Sequence, residues 1–119
     1  MKVSIDFDGT FWENVAFFGE MGRAMQTAGH QVGILTGHSA EIEPEDRRLL
    51  LARCNFTPDF FLNRDETALL QEVREWKAGI IDREGINVHF DDDASVMQKF
   101  LKGSAFLIKT RSKSEAGKF

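Results

Sequence analysis

The chain has 119 residues, 42% hydrophobic and 29% charged, with a formal net charge of −4. That is room for one domain with a single core, and it excludes a disordered chain or a two-domain enzyme. The acidic balance gives no broad pull toward nucleic acid or anionic membranes, and the single Cys54 excludes a disulfide within the chain.

Val3, Ile5 and Phe7 alternate with Ser4 and Asp6 before Gly9, which predicts a strand running out into a tight loop. A side-chain period of two points Asp6 and Asp8 the same way where that strand stops. Two such carboxylates repel by about 4 kcal/mol at about 4 Å and an effective dielectric of about 20, so a hard divalent cation is the expected compensation. Gly9 permits close backbone approach to a ligand, and Thr10 offers a hydroxyl.

Phe11-Trp12-Glu13-Asn14 reads as a turn or small flap, with core packing or flap closure the reading for Phe11, Trp12 and Phe18. Phe17, Met21, Ala24, Met25 and Ala28 then follow at helical spacing, stopped by Gly29. Gln31 to Leu35 predicts a second strand entering Thr36-Gly37-His38-Ser39. Pro44, Glu45 and Asp46 suit the opening turn of a second helix, with Leu49, Leu50 and Cys54 as its buried stripe and Thr57-Pro58 as its end. Asp59 to Leu62 is a third strand, and Leu69, Val73, Trp76 and Ile80 mark a third helix that bends or restarts near Gly79. Ile86 to Phe90 is a fourth strand running into Asp91-Asp92-Asp93. A brief helix around Val96 to Leu101 and a fifth strand at Ala105 to Ile108 complete the pattern.

Alternating strands and helices predict a three-layer α/β/α sandwich with a mainly parallel, five-stranded Rossmann-like sheet. Residues 1–108 form this single domain and 109–119 a basic, flexible tail. No apolar run approaches the length of a membrane span, and Met1 leads straight into a strand, so a cytoplasmic protein without signal peptide is expected. Ligands of such sheets gather beyond the carboxyl ends of the strands. Asp6/Asp8, Thr36 and Asp91/Asp92/Asp93 stand at three of those ends.

In these residues the chain resembles the haloacid dehalogenase superfamily, specifically its magnesium-dependent phosphatases. The motif of two Asp separated by one residue, with Thr two further on, matches Asp6-Phe7-Asp8-Gly9-Thr10. The hydroxyl residue ending the second strand matches Thr36, and Gly37 follows it. The Lys ahead of the fourth strand matches Lys77, the only Lys between Lys2 and Lys99. The acidic pair ending the fourth strand matches Asp91-Asp92.

The resemblance implies a phosphate monoester hydrolase working through an aspartyl-phosphate on Asp6, with Asp8 as general acid and base. It implies Thr36 and Lys77 as further catalytic residues, and Gly9, Thr10 and Gly37 as substrate-binding ones. It also implies Mg²⁺ on Asp6, the Asp8 main-chain carbonyl and an acid of the Asp91-Asp92 pair, with Asp92 favoured. Asp8 argues for phosphate chemistry, since the dehalogenases of the superfamily lack that second acid.

Neither interval that carries an inserted cap in this superfamily has room for one here. An open site suits a phosphorylated nucleic-acid end, or a phosphorylated small molecule such as a nucleotide or sugar phosphate. In the small-molecule case a homo-oligomer would cover the site at the Phe11 to Phe18 region. Phe60 to Asp65 and His89 to Val96 are faintly similar to the phosphatase half of polynucleotide kinase-phosphatases. His38, Arg47, Arg48 and Arg64 are within reach of a substrate, but a structural role leads for each. The alternative is a phosphoryl-accepting receiver-like signalling domain, whose acceptor Asp would end the third strand, where this chain has Leu62-Asn63.

Overall fold

The computed structural model describes residues 1–65 and 73–93. In them β1 (Lys2–Ile5), α1 (Val15–Thr27), β2 (Gln31–Thr36), α2 (Glu43–Cys54), β3 (Phe61–Asn63), α3 (Val73–Arg83) and β4 (Val88–Phe90) follow in order. Single helical turns at Trp12–Asn14 and Ala40–Ile42 lead into α1 and α2. All pairings are parallel, in the order β3-β2-β1-β4, with Ile5 opposite both Ile34 and Phe90. The described residues thus hold four strands, where five were expected. The expected fifth strand, the short helix before it and the tail lie outside them.

Alternation along each strand sorts the core into two layers. Val3, Ile5, Val32, Ile34, Val88 and Phe90 face one way and pack with Phe18, Leu50 and Phe56. On the other face Leu35 and Leu62 pack with Trp76, Ile80 and Ile81 of α3. Helices on both faces of a parallel sheet are what strands apolar on both sides require.

Several expected boundaries shift for physical reasons. Regular β3 begins at Phe61 because the Asp59 side chain takes the Val32 N–H (2.7 Å) and replaces a ladder bond. Asn87 does the same at β4, accepting from the Lys2 N–H (2.9 Å). α2 ends before Thr57-Pro58, at Asn55, whose left-handed φ of 53° lets its N–H reach back to Leu51 O. α3 runs through Gly79 without the expected bend.

The apolar stripe of α1 also differs. Phe17, Ala24 and Ala28 are exposed, whereas Phe18, Gly19 and Gly22 are buried. A β-carbon on Gly22 would sit 2.6 Å from the Phe56 ring, so the helix packs through a face with little hydrophobic signal. Gly22→Ala is therefore expected to lose stability, because overpacking costs about 1–3 kcal/mol against about 1 kcal/mol of helix propensity gained. Gly79→Ala, with nothing within 4 Å among the described residues, should gain about 0.5–1 kcal/mol instead. Urea unfolding of the two variants checks these opposite signs.

Candidate active site

The sheet order places the reversal of winding between β1 and β4, the crevice where open α/β sheets bind ligands. The Asp6 N–H donates to Phe90 O (2.9 Å), so the two strand ends are joined where their acidic residues begin. A cleft of about 510 Å³ opens there, lined by Asp6, Arg64, Val73, Arg74, Lys77 and Asp91 to Asp93.

Lys77 reaches this edge from α3. Its buried ammonium donates to Asp6 Oδ1 at 2.5 Å and to Asp91 Oδ2 at 3.1 Å. Thr10, fully buried, donates to Asp6 Oδ2 at 3.2 Å, so both Asp6 oxygens are held. The expectation had Thr10 meeting substrate, but its hydroxyl is turned to the carboxylate. Asp91 accepts from Lys77, from His89 Nε2 (2.9 Å) and from the Asp93 N–H (2.9 Å). An ionised carboxyl only accepts, so His89 carries hydrogen on Nε2. Burial pushes the His89 imidazole down toward neutrality, and Nδ1 then accepts from Ser4 Oγ at 2.7 Å.

Oxygens of Asp6, Asp91 and Asp92 lie within 4.8 Å of one another. Three carboxylates against one ammonium leave an excess of negative charge. Burial first, opposed by Lys77 and reinforced by Asp91 and Asp92, pushes the Asp6 carboxyl up to about 7. Burial works the same way on Asp91, but the His89 hydrogen bond and the Lys77 charge outweigh it and hold that carboxyl at about 2. Asp92 is raised, by burial and then by Asp91. The donor set, hard oxygens with surplus negative charge, fits a divalent cation. Asp91 is the most committed of the three to protein partners, which leaves Asp6 and Asp92 the more available oxygens.

Gly9 has φ of 79°, and a β-carbon there would fall 2.3 Å from Asp92 Oδ2, so both the turn and the Asp92 carboxylate need glycine. Asp8 is turned away from the cleft that Asp6 lines, contrary to the period of two. The chain leaves the strand after Ile5, and Phe7–Phe11 closes a wide turn in which the Phe11 N–H reaches Asp6 O (3.0 Å). The acids that crowd Asp6 are accordingly Asp91 and Asp92, whereas Asp8, with its side chain 70% exposed, meets His38 Nε2 at 2.5 Å.

Thr36 lies at the end of β2, buried, with its Oγ1 accepting from the His38 N–H (3.1 Å). It is not among the residues lining the cleft, and neither is the exposed Gly37. Phe11 and Phe18 are core residues, which removes them as a movable flap. Trp12 stacks on Phe7 with centroids 5.6 Å apart and has Arg53 over its ring at 5.3 Å. Arg47 and Arg48 pair with Glu43 and Glu45 on the surface of α2, and Arg64 borders the cleft.

Sequence reasoning gave His38 a structural role and saw Asp46 only as a favourable charge at the start of α2, and it missed that the two pair. His38 Nδ1 lies 2.8 Å from Asp46 Oδ2, on the first turn of α2, and Asp46 is buried. Burial lowers His38, but its hydrogen bonds to Asp46 and Asp8 outweigh this and raise it above the ordinary imidazole range. The only signal in the sequence was a His just past a strand end, followed eight residues on by an acid at a helix start.

Neither a protein-family model nor a curated protein sequence matches the chain. Among solved structures, a chain of the Pnkp1/Rnl/Hen1 RNA repair complex is similar, with a TM-score of 0.68 at 19% identity. The match covers 91% of this chain and 42% of that one, so this chain spans less than half of its neighbour's length. At that identity the likeness is one of fold, a parallel α/β sheet of the Rossmann-like kind.

Proposed function

We propose that the protein is a magnesium-dependent phosphatase that hydrolyses a phosphate monoester through an aspartyl-phosphate on Asp6. The observation that carries this reading is the meeting of Asp6, Lys77, Asp91 and Asp92 at the crevice between β1 and β4. Solvated acids have no need of a buried ammonium, and a purely structural ion pair has no need of a third carboxylate, Asp92, at the same crevice. A nucleophilic carboxylate that must receive a phosphoryl dianion does need the ammonium.

In this reading an Asp6 oxygen attacks phosphorus as the bond to the leaving oxygen breaks, and Lys77 offsets the charge that accumulates. Asp8 gives a proton to the leaving oxygen, then takes one from the water that cleaves the acyl phosphate. Asp91, pinned by Lys77, His89 and the Asp93 N–H, holds Lys77 in place. Asp6, Asp92 and the Asp8 main-chain carbonyl would hold Mg²⁺, which when bound supplies neutralisation of phosphate charge. Thr10 keeps Asp6 oriented, while Thr36 supports the turn that presents the Gly37 and His38 backbone.

The receiver-like alternative is disfavoured by the sheet. A flavodoxin-like receiver runs 2-1-3-4-5 with β3 inside. Here β3 is at an edge of the described sheet and ends in Asn63. The neighbour's membership of an RNA repair complex puts phosphorylated RNA ends first among substrates to try, followed by nucleotides and sugar phosphates. No helix among the described residues is long and apolar enough to cross a membrane. If the substrate is small, a second subunit would have to cover the site, and within the Phe11 to Phe18 region the exposed aromatic residue is Phe17, 59% exposed on α1.

The deciding experiment is phosphate release with magnesium across 3′- and 5′-phosphorylated oligonucleotides, nucleotides and sugar phosphates. Release from one class, lost in Asp6→Asn, supports the reading, and release from none contradicts it. Metal binding has its own signature. A cation bound to Asp6 displaces the proton that burial favours up to about pH 7. Magnesium affinity should therefore rise by up to about tenfold per pH unit below that value and level off above it. Calorimetric titration at several pH values measures this.

A further inference from the structure

His38 sits in a built socket that the steps above do not use. Its backbone N–H donates to Thr36 Oγ1 (3.1 Å) and its ring packs on Phe7 with centroids 5.4 Å apart. Nδ1 faces Asp46 Oδ2 at 2.8 Å, and Asp46, only 5% exposed, has His38 as its one side-chain partner among the described residues. The favourable end of the α2 dipole stabilises that buried carboxylate. With Nδ1 on Asp46 and the ring against Phe7, Nε2 is aimed at Asp8 Oδ2, 2.5 Å away.

Asp8 has the opposite character. Its side chain is 70% exposed, and no other described side chain forms a hydrogen bond with it. A carboxyl so exposed would sample several rotamers, yet acid–base work needs it aimed at one oxygen and then at one water. The arrangement follows the general logic of a triad, in which a third group orients the imidazole and the imidazole orients the reacting group.

We propose that His38, braced by Asp46, is a positioning residue that fixes the Asp8 carboxyl for its acid–base steps. This rests on the phosphatase reading and extends it to residues outside the family-like motifs. A duller role, in which His38 merely pins the Phe7–Phe11 turn to α2, would lower stability and affect every substrate alike. Positioning acts only where Asp8 transfers a proton.

The test uses the full chain with magnesium and two esters, 4-nitrophenyl phosphate, whose leaving group needs no proton, and ethyl phosphate, whose leaving group does. His38→Ala should lower kcat on ethyl phosphate by about 10²-fold, the scale of misaiming a reacting group by about 1 Å. KM should stay nearly constant, because ground-state binding does not involve Asp8. The pre-steady-state burst of 4-nitrophenol should survive. His38→Gln, which keeps an N–H donor near the Nε2 position, should recover part of the loss, and Asp46→Asn should reproduce it in weaker form.

The decisive comparison is His38→Gln or His38→Ala in the Asp8→Asn background. If His38 acts through Asp8, the double variant should match Asp8→Asn within about twofold. A further loss in that background, or a burst of 4-nitrophenol slowed as much as the turnover of ethyl phosphate, would overturn the proposal while leaving the phosphatase reading intact. If the wild type releases phosphate from neither ester and Asp6→Asn changes nothing, the phosphatase reading fails and this inference with it. Should His38→Ala not fold, His38→Gln and Asp46→Asn carry the same comparison.

Discussion

Asp6→Asn is expected to lower phosphate release by more than about 10⁴-fold, as loss of a covalent nucleophile does, while leaving the protein folded. The amide has no anionic oxygen to attack phosphorus, and it leaves the Lys77 ammonium, 2.5 Å from Asp6 in the wild type, only a neutral acceptor there. The fold should tolerate the change because Asp6 is held in a crowd of like charge, with its carboxyl at about 7 against an ordinary 3.8. A carboxyl raised in the folded state binds protons more tightly there than in the unfolded chain. Metal-free wild type should therefore lose stability as pH rises from about 4 to about 7, and Asp6→Asn should lack that decline. Melting curves across this range, beside the activity measurement, separate a lost nucleophile from a lost fold. A variant that is inactive because it is unfolded would contradict the argument.

Lys77→Ala carries the largest expected effect on stability. The ammonium bridges Asp6 and Asp91 at 2.5 and 3.1 Å in a setting where all three side chains are buried. Removing one partner from such a network leaves uncompensated charge and costs about 3–5 kcal/mol. The sign with pH follows from the partners left behind. Without Lys77 the Asp6 carboxyl rises further above its unfolded value of 3.8 and Asp91 loses one of the causes that hold it below that value, so the variant's stability falls as pH climbs past it. The deficit against wild type should be smallest near pH 5 and largest above pH 7, and magnesium should recover part of it at the higher pH. Lys77→Met, which keeps an apolar stem beside Trp76, should be nearly as unstable. Denaturant titrations at pH 5 and pH 8 check this. A deficit equal at both, or absent in Lys77→Met, would make Lys77 a packing residue.

The course of the chain was largely legible because period two and period 3.6 differ in strands such as β1 and helices such as α3, with Trp76 and Ile80 one turn apart on its buried face. The starts of β3 and β4 were less so, since the Asp59 and Asn87 side chains stand in for backbone ladder bonds. The inner face of α1 was hidden for another reason. Gly19 and Gly22 pack tightly against Cys54 and Phe56 and carry no hydrophobic signal at all. The convergence of Asp6, Asp91 and Asp92 could be expected from topology alone, since parallel strands bring their carboxyl ends to one edge, whereas Lys77, on α3, was expected only from the family-like motif. The split between Asp6 and Asp8 could not, because the strand already stops at Ile5 and the period of two no longer holds through Phe7. Nor could the meeting of His38 with Asp46, which the approach of α2 to the end of β2 decides.

The central claim is that Asp6 becomes phosphorylated and that Asp8 completes both proton transfers. Asp8→Asn keeps the nucleophile, Lys77 and the acidic group, but removes the proton donor and the base for water, a loss of about 10²- to 10⁴-fold in turnover. With 4-nitrophenyl phosphate the first step needs no proton, so the aspartyl-phosphate should form and persist. Intact-mass and peptide spectrometry after acid quench should find one added phosphate, on Asp6 within the Met1–Arg23 segment. Phosphate on Asp59, Asp65 or a residue of β3, or turnover by Asp8→Asn equal to wild type with no phosphate on Asp6, would contradict the account.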